Sequence, residues 1–573
     1  MPTQNAHIAH IFNKLADLLE IEGANPFRVR AYRNAARKVA NLGRSVSDMV
    51  IAGEDLTALT GIGKDLADKI REIVETGRLS QLEETEAKTP GELSRLMRIA
   101  TLGPKRVKTL YQELGITSRE ALKDAAEKGK VQELEGFGKK SEQVILEELR
   151  RANRQDDARI KLFEAEQAAT NLTTFLKKAK AIKAITVAGS FRRKKDTVGD
   201  LDILVTSKRG SGAMKHFLAY DDIHKVLSQG KTRSTVALRS GLQVDLRVVP
   251  EVSYGAALHY FTGSKSHTVA IRKLGVKQGY KINEYGVFKG DKRIAGRTEK
   301  EVYAKVGLPY IEPELRENQG ELQAARKGRL PELVALKDLR GDLHSHTIAT
   351  DGQSSLEEMA QAAKRRGYEY LAITEHSKKV AMARGLNVER LAGQIEAIDR
   401  LNEELEGIIL LKGIEVDILE DGSLDLPNDI LKRLDLRVCS VHYNHRLSRK
   451  KQTARIIRAM DNPYFNILAH PTGRLINERK PYAVDLEKVM TAAIERGCFL
   501  EINANPDRLD LADRYCRMAK EMGLKLAVST DAHSPANLDF IRFGVDQARR
   551  GWLEADDVIN TRGLSELKAM MKR

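Results

Sequence analysis

"VAGSFRRKKDTVGDLDILV", residues 187–205, decides what fold the first half of this chain can take. "AITVAGS" reads as the end of a strand, a basic loop follows, and "GDLDILVT" begins another strand. Side chains alternate across a strand, so Asp200 and Asp202 fall on one face. Two like charges held together are costly unless cations sit between them, and hard oxygen ligands at this spacing suit Mg²⁺ shared with substrate phosphates. Asp245, in "GLQVDLRVV", has strand-like surroundings and can complete the site from a neighbouring strand. Gly189 permits close backbone approach to a triphosphate, while Ser190 and Arg193 offer it a hydroxyl and a charge. The chemistry implied is two-metal nucleotidyl transfer.

Length and composition bound the alternatives. A chain of 573 residues exceeds what one hydrophobic core serves and suggests about three to five domains. Hydrophobic content of 42% with 31% charge describes an ordinary soluble protein. The opening, "MPTQNAHIAHIFNKLADLLE", has no cationic n-region and no uninterrupted apolar stretch, so neither a leader nor a membrane association is expected. Its Ile8, Ile11, Phe12, Leu15, Leu18 and Leu19 follow helical spacing instead. Cys439, Cys498 and Cys516 lie far apart with no CxxC, which argues against a disulfide framework and for a reducing cytoplasm. Residues 341–573 hold 35 Lys+Arg against 36 Asp+Glu, which leaves 61 against 44 in residues 1–340. All of the net +16 therefore belongs to the first part, the footprint of a polyanion-binding region.

Helical patterning runs to about residue 180, mixed strands and helices follow to about 318, and the polar "ENQGELQAARKGRLPEL" reads as a linker. The helical region carries an internal echo in "LTGIGKDLADKI", "ATLGPKRVKTL" and "LEGFGKKSEQVI", which look like helix-hairpin-helix elements. Gly61, Gly63, Gly103, Gly136 and Gly138 let the backbone come close to a phosphate, and the N–H groups opening each following helix attract it. Lys105 adds charge beside the second copy, in which Thr101 stands where the first glycine is expected. One phosphate can be held at each such element without any base being read.

Residues 1 to about 318 closely resemble the family X DNA polymerases, the DNA polymerase beta-like group. The resemblance rests on Gly-Ser, nine residues and then DxD, on "YFTGS" at 260–264, and on "INEYG" at 282–286. It implies that Asp200, Asp202 and Asp245 are catalytic and hold two Mg²⁺, and that Gly189, Ser190, Arg193 and Gly199 bind the triphosphate of a dNTP. Tyr260, Phe261 and Gly263 would shape the sugar pocket, Arg159 in "ARIKL" would be a further triphosphate arginine, and Arg272 would contact the template minor groove. Lys265 stands where the vertebrate enzymes have aspartate and Thr268 where they have asparagine, so Lys265 would add a cation to the nucleotide site. The first hairpin resembles the family's lyase domain, which makes Lys69 a candidate Schiff-base nucleophile with Arg28 and Tyr32 around it. Asp65 there replaces a phosphate-binding lysine.

Beyond the polar stretch, seven strand-like runs appear in order: "GDLHSHTIATD", "YLAITEHS", "ILLKGIEVDI", "RVCSVHYN", "FNILAHP", "CFLEINA" and "LAVSTDAH". Helical segments such as "SSLEEMAQAAKRRG" separate some of them, so the pattern is that of a parallel barrel with its chemistry at the carboxyl ends of strands. His344, His346, His376, His442, His470 and His533 lie at such ends alongside Asp351, Glu415 and Asp531, whereas His445 reads as a surface residue. These nine residues resemble the ligand set of the PHP (polymerase and histidinol phosphatase) family position for position. The resemblance implies three ions: one among His344, His346, Glu415 and Asp531, a second held by Glu415, His442 and His470, and a third by Asp351, His376 and His533. Mixed imidazole and carboxylate ligation favours Zn²⁺, Mn²⁺ or Fe. Clustered ions activate a bridging water for phosphoester hydrolysis.

The expected fold is multidomain, α+β and α/β. A lyase-like helical domain occupies 1–85 and a fingers domain 86–150, both with helix-hairpin-helix elements. A nucleotidyltransferase palm follows at 151–260, a thumb at 261–318, a linker at 319–338 and a distorted seven-stranded (β/α) PHP barrel at 339–573. The expected activity is short-gap filling in DNA repair on DNA with gaps, nicks or 3′ ends, by a monomer that also trims 3′ ends and can open abasic sites. The alternatives are a polymerase fused to a small-molecule phosphatase and a non-catalytic scaffold for DNA ends.

Overall fold

The computed structural model describes residues 5–40, 46–59, 61–97, 99, 102–155, 159–207 and 211–573, in two compact units, Met1–Ala158 and Arg159–Arg573. Thr101 lies outside the described residues. Among those described, no helix is long and apolar enough to cross a membrane.

The first unit is helical. Helix Asn5–Glu22 buries Ile8, Phe12, Leu15 and Leu19, the stripe its 3.6-residue period prescribes, against helix Pro26–Ala40. Helices Lys64–Thr76 and Pro104–Leu114 start on Gly63 and Gly103, and helix Lys139–Gln155 starts just after Gly138. Gly61 and Gly136 take φ of 91° and 80°, a left-handed turn that a side chain would resist. Apolar residues from Ile8 to Leu149 form one continuous core. The two helical domains divided near residue 85 in the sequence reading thus share an interior.

In the second unit β1 (Ile160–Lys161) pairs with β3 (Thr197–Val198), on either side of β2 (Ile182–Val187) in the chain. With β4 (Asp200–Ser207), β5 (Ile223–Gln229), β6 (Arg233–Leu238) and β7 (Gln243–Val249), β2 builds a five-stranded sheet of order β2-β4-β7-β6-β5. Strands β4 and β7 run parallel with Asp202 opposite Asp245. Leu201, Ile203 and Val205 enter the core from the other face of β4. Strands β8 (Lys281–Asn283), β9 (Gly286–Lys289) and β10 (Lys292–Ala295) form a small antiparallel sheet near helix Lys265–Lys277.

Seven parallel strands then follow in strict order: β11 (Gly341–Asp342), β12 (Tyr370–Ile373), β13 (Ile409–Asp417), β14 (Leu436–Ser440), β15 (Ile467–Leu468), β16 (Phe499–Asn503) and β17 (Leu526–Ser529). Beyond β11 and β17 the chain pairs again at Ser345 and Ala532, which nearly closes the sheet into a barrel. The seven runs of the sequence are its seven strands. His445 is half-buried, stacked on Tyr482 with its Nε2 toward the Val441 carbonyl, so it departs from the surface reading.

The stretch 319–338 departs from the expected linker. It contains helix Glu321–Arg326, and Leu322, Ala325 and Val334 are buried. Glu321 is fully buried, accepting from His267 Nδ1 (2.6 Å) and from the backbone N–H groups of Asn318 and Gln319. Arg326, Lys327 and Arg329 stay exposed as a polar composition suggests, whereas the buried Glu321 has its oxygens partnered.

Glu299 ties the thumb together. It accepts from both Arg192 Nη atoms (2.9 and 2.6 Å) and from the buried Arg316 Nη1 (2.5 Å). Burial opposes its charge, yet Arg192 and Arg316 hold its pKa down at about 2 against an ordinary 4.5. Because the folded value is depressed, this stabilisation is complete above about pH 4.5 and is lost as the pH falls toward 2. Glu299→Gln strands a buried arginine and is expected to cost about 3–5 kcal/mol near neutral pH, less in acid. Urea unfolding followed by the single tryptophan, Trp552, which packs in this same core, measures it.

Candidate functional site

Adjoining strands build the first site. Asp200 and Asp202 share a face of β4 and Asp245 faces them from β7. Asp245 is buried, and its Oδ1 accepts from Arg233 Nε and Nη2 (3.2 and 3.0 Å) and from Thr235 Oγ1. Burial, Asp200 and Asp245 together push the Asp202 carboxyl up to about 7, and burial and Asp245 raise Asp200. Negative charge is thus concentrated beyond what the local cations neutralise, which is the electrostatic demand that divalent ions meet. Gly189 has φ 63°, and a Cβ there would come to 3.0 Å from Asp202 Oδ2, so a side chain would be strained in both backbone and packing.

Around these acids the structure gathers most of the expected nucleotide residues. Arg159 lies against Gly199, and its guanidinium donates to the Thr197 side chain and carbonyl. Ser190 is half-buried on the turn after Gly189. Tyr260 and Phe261 meet edge to face at 5.0 Å, and Gly263 sits at φ 69° against Arg193 Nη1. Lys265 and Arg272 are exposed on helix Lys265–Lys277. Arg193 is already engaged, with Nε donating to Glu317 Oε1 (3.0 Å) and Nη1 to the Thr262 carbonyl (2.5 Å). Arg247, not among the residues expected from the sequence, stacks on Phe261 at 4.1 Å. Its place two residues beyond Asp245, on the same strand face, was the available signal.

The helical unit has its own candidates. A Cβ at Gly61, Gly63, Gly103, Gly136 or Gly138 would meet nothing within 4 Å, so the approach to each helix start is open. Lys105 is exposed beside the second of these. Lys69 Nζ is paired with the Asp65 carboxylate one helical turn away, and Tyr32 is buried with its hydroxyl on Gln81 Oε1 (2.6 Å).

At the carboxyl ends of the barrel strands all nine expected ligands converge. Three sets have potential donor atoms within 4.8 Å of one another: His346, Asp351, His376 and His533; His344, His346 and Asp531; and His376, Glu415 and His442. Glu415 is central, with Oε1 at 3.0 Å from His470 Nε2 and 3.2 Å from His442 Nε2, and Oε2 at 3.6 Å from His344 Nε2. His376 sits between groups rather than in one, its Nδ1 2.7 Å from Glu415 Oε2 and its Nε2 3.4 Å from Asp351 Oδ2. His470 and Asp531 have φ of 27° and 56°, strained values that fold-level contacts must hold.

This donor set fits metal ions. His344 Nε2, both ring nitrogens of His346, His376 Nδ1 and Glu415 Oε2 are buried and make no directed hydrogen bond. Burial and His376 push His346 down to about 3, which keeps it the neutral imidazole a metal requires. Burial likewise works against charge on His344, but Glu501, Asp531 and Glu415 outweigh it and draw positive charge to that ring.

The sequence reading did not single out the residues behind the ligands. Glu501 Oε1 accepts from His344 Nδ1 (2.7 Å), and Glu501 Oε2 accepts from the His470 backbone N–H (2.7 Å). Asp417 accepts from His442 Nδ1 (3.1 Å), and Asn503 donates to Asp531 Oδ2 (3.2 Å). The bonds to the Nδ1 atoms of His344 and His442 leave each ring's Nε2 facing the cluster. Glu501 and Asn503 alternate as polar residues in an otherwise apolar strand, and that period was the signal. Glu501→Gln is expected to weaken metal retention roughly 10–100-fold, measured by chelator competition and elemental analysis.

Comparison with known proteins agrees with this geometry along the whole chain. Family profiles match in order: a helix-hairpin-helix domain at 3–79, a SAM-like helix-hairpin-helix tandem at 93–151, the DNA polymerase beta palm at 159–251, the DNA polymerase beta thumb at 257–317 and the PHP domain at 342–505. The chain is 38% identical over 570 residues to the DNA polymerase/3′-5′ exonuclease PolX of Bacillus subtilis, covering 99% of each. A probable phosphatase of Thermoanaerobacter is 33% identical over 242 residues, 40% of this chain and 94% of that protein. DNA polymerase lambda of Arabidopsis thaliana is 26% identical over 351 residues, 55% of this chain and 62% of that protein. With palm acids and strand-end ligands joined in one chain that aligns from end to end with such a relative, the protein belongs to the family X DNA polymerases that carry a C-terminal PHP domain.

Proposed function

We propose that this protein fills short gaps in DNA during repair and trims 3′ ends at a separate phosphoesterase site. The observation that carries the reading is the pairing of two independent acid-rich sites: Asp202 registered against Asp245 in the palm, and Glu415 ringed by histidines in the barrel. Its substrates are dNTPs and DNA with gaps, nicks or 3′ ends, held by the helix-hairpin-helix glycines. Three buried, unpaired cysteines fit a reducing cytoplasm, and a monomer is the simplest assembly.

Divalent ions supply Lewis acidity at both sites, Mg²⁺ in the palm and Zn²⁺, Mn²⁺ or Fe, three in number, in the barrel. Asp200, Asp202 and Asp245 hold the palm ions. Gly189, Ser190, Arg193, Gly199 and Arg159 orient the triphosphate, Tyr260, Phe261 and Gly263 shape the sugar pocket, and Lys265 adds charge. Nucleotide phosphates must take Arg193 from Glu317, so the triphosphate competes with a carboxylate already in place. In the barrel, the nine ligands hold the ions while Glu501 and Asp417 orient the imidazoles. The relationship to probable phosphatases favours a second reading, hydrolysis of small phosphate monoesters at the same barrel site.

Asp202→Ala is expected to lower nucleotide addition by at least about three orders of magnitude, ~4 kcal/mol of transition-state stabilisation, with DNA binding retained. Primer extension near the parent rate refutes the palm assignment. His344→Ala is expected to stop trimming of a 3′-labelled strand while gap filling continues. If that variant trims normally, the barrel is not the nuclease, and if the parent hydrolyses only small monoesters, the phosphatase reading replaces it. For the lyase, borohydride trapping of an abasic-site adduct in the parent but not in Lys69→Ala is the expected result, and equal trapping removes Lys69 from the role.

A further inference from the structure

We propose that Arg508 grips the phosphate of the scissile ester in the barrel site, and that the palm holds it there. The proposal rests on the phosphoesterase reading above and deepens it.

Arg508 follows β16 on a hairpin that is fixed on both sides. Asn503 and Asp510 exchange backbone hydrogen bonds at its base, and the Asp510 carboxylate accepts from the Thr472 N–H and hydroxyl (both 2.9 Å). The Arg508 N–H donates to the Asn505 carbonyl, while the Arg508 carbonyl accepts from Arg474 Nε (2.9 Å). Leu509 has φ 42°, a strained conformation for a branched residue, and is buried in the palm core.

Among the described residues the side chain so positioned makes no hydrogen bond and one long ion pair. It is only 20% exposed, and its Nε lies 3.7 Å from Asp531 Oδ2, beyond hydrogen-bond reach. Among the described residues no acceptor takes a hydrogen bond from its guanidinium, although that group carries five donors in a planar fork. Asp531 belongs to the expected ligand set, so its charge is committed to ions when the site is loaded. Arg479 feels the same charge: burial and the Arg508 guanidinium depress its pKa, against the opposing pull of Asp510 and Glu478. A guanidinium beside the cation site with its donors unused is matched by an anion, and a phosphoester oxygen is the one this reaction brings.

The palm supplies the rigidity. Lys161, on β1, pairs with Asp507 (2.5 Å), directly before Arg508. Arg474, which holds the Arg508 and Leu509 carbonyls, donates its remaining Nη1 to Asp196 (3.0 Å), on the basic loop of the palm. Leu509, directly after Arg508, packs among palm side chains. The residues on both sides of Arg508 are therefore anchored to the polymerase half.

The test uses full-length protein carrying Arg508→Gln, Arg508→Lys or Asp196→Ala, loaded with Mn²⁺. Arg508→Gln is expected to slow 3′ trimming roughly 10²-fold and to weaken binding of thymidine 5′-monophosphate, read by titration calorimetry, at least about tenfold. Elemental analysis of the same preparation is expected to show the parent metal content, and Arg508→Lys to recover part of both losses. Asp196→Ala is expected to reduce trimming and monophosphate binding together, by less. Normal monophosphate binding in Arg508→Gln overturns the proposal. Loss of metal in step with activity overturns it too, since Arg508 would then only support Asp531. Undiminished trimming and binding in Asp196→Ala removes the palm from it. If instead His344→Ala trims normally, the phosphoesterase reading itself has failed, a result distinguishable from all of these.

Discussion

The Arg550 guanidinium is buried where palm, thumb and barrel meet. From the end of barrel helix Ile541–Arg550 its Nη1 donates to the Arg193 carbonyl (2.6 Å) and approaches Glu317 (3.3 Å), while its Nη2 donates to Asp513 (2.5 Å). A buried arginine is tolerated only when its charge and donors are met, so these three partners cannot move independently of it. Glu317 in turn holds Arg193, and its carbonyl accepts from Ser266. The Ser264 N–H, one residue beyond Gly263, donates to the Arg316 carbonyl. The loop carrying Arg193 and the turn at Gly263 are thereby referred to one barrel side chain.

Both reactive sites hold charge or lone pairs that the protein itself leaves uncompensated. In the palm, sheet register forces three carboxylates together and raises Asp202 to about 7. In the barrel, the His346 ring stacks on those of His376 and His533 at 4.4 and 4.3 Å, with buried ring nitrogens unbonded. Neither arrangement would arise from optimising stability, because unpaired buried polar groups and crowded like charges both oppose folding. The surrounding cores maintain them.

The two ligand sets share no residue, yet the halves that carry them are not loosely joined. Ile476, Leu509 and Phe543 of the barrel lie in the palm core, and Lys194 pairs with Asp546 at 3.2 Å. The barrel loops seated on the palm, around Arg474 and Asp507, also border Asp531 of the histidine-rich cluster through Arg508. Chemical separation therefore coexists with mechanical connection. The stretch 319–338 is then pinned at both ends rather than a free tether, with Leu322 and Ala325 in the thumb core and Val334 in the barrel core.

What could be read along the chain was whatever local geometry dictates. Alternation put Asp200 and Asp202 on one face, strand-end positions gathered the nine barrel ligands, and glycines marked the helix starts, because strand and turn periodicities are properties of neighbours in sequence. Tertiary structure alone decided that Arg193 is held by Glu317, that Glu501 sets the tautomer of His344, and that Arg508 reaches the barrel site without a bonded partner. It also decided that Glu321 is buried, although its sequence neighbours are polar. Each of these depends on a partner tens to hundreds of residues away. Whether a polar group is covered, paired or left open is set by which distant surface packs onto it, and neither composition nor periodicity carries that information.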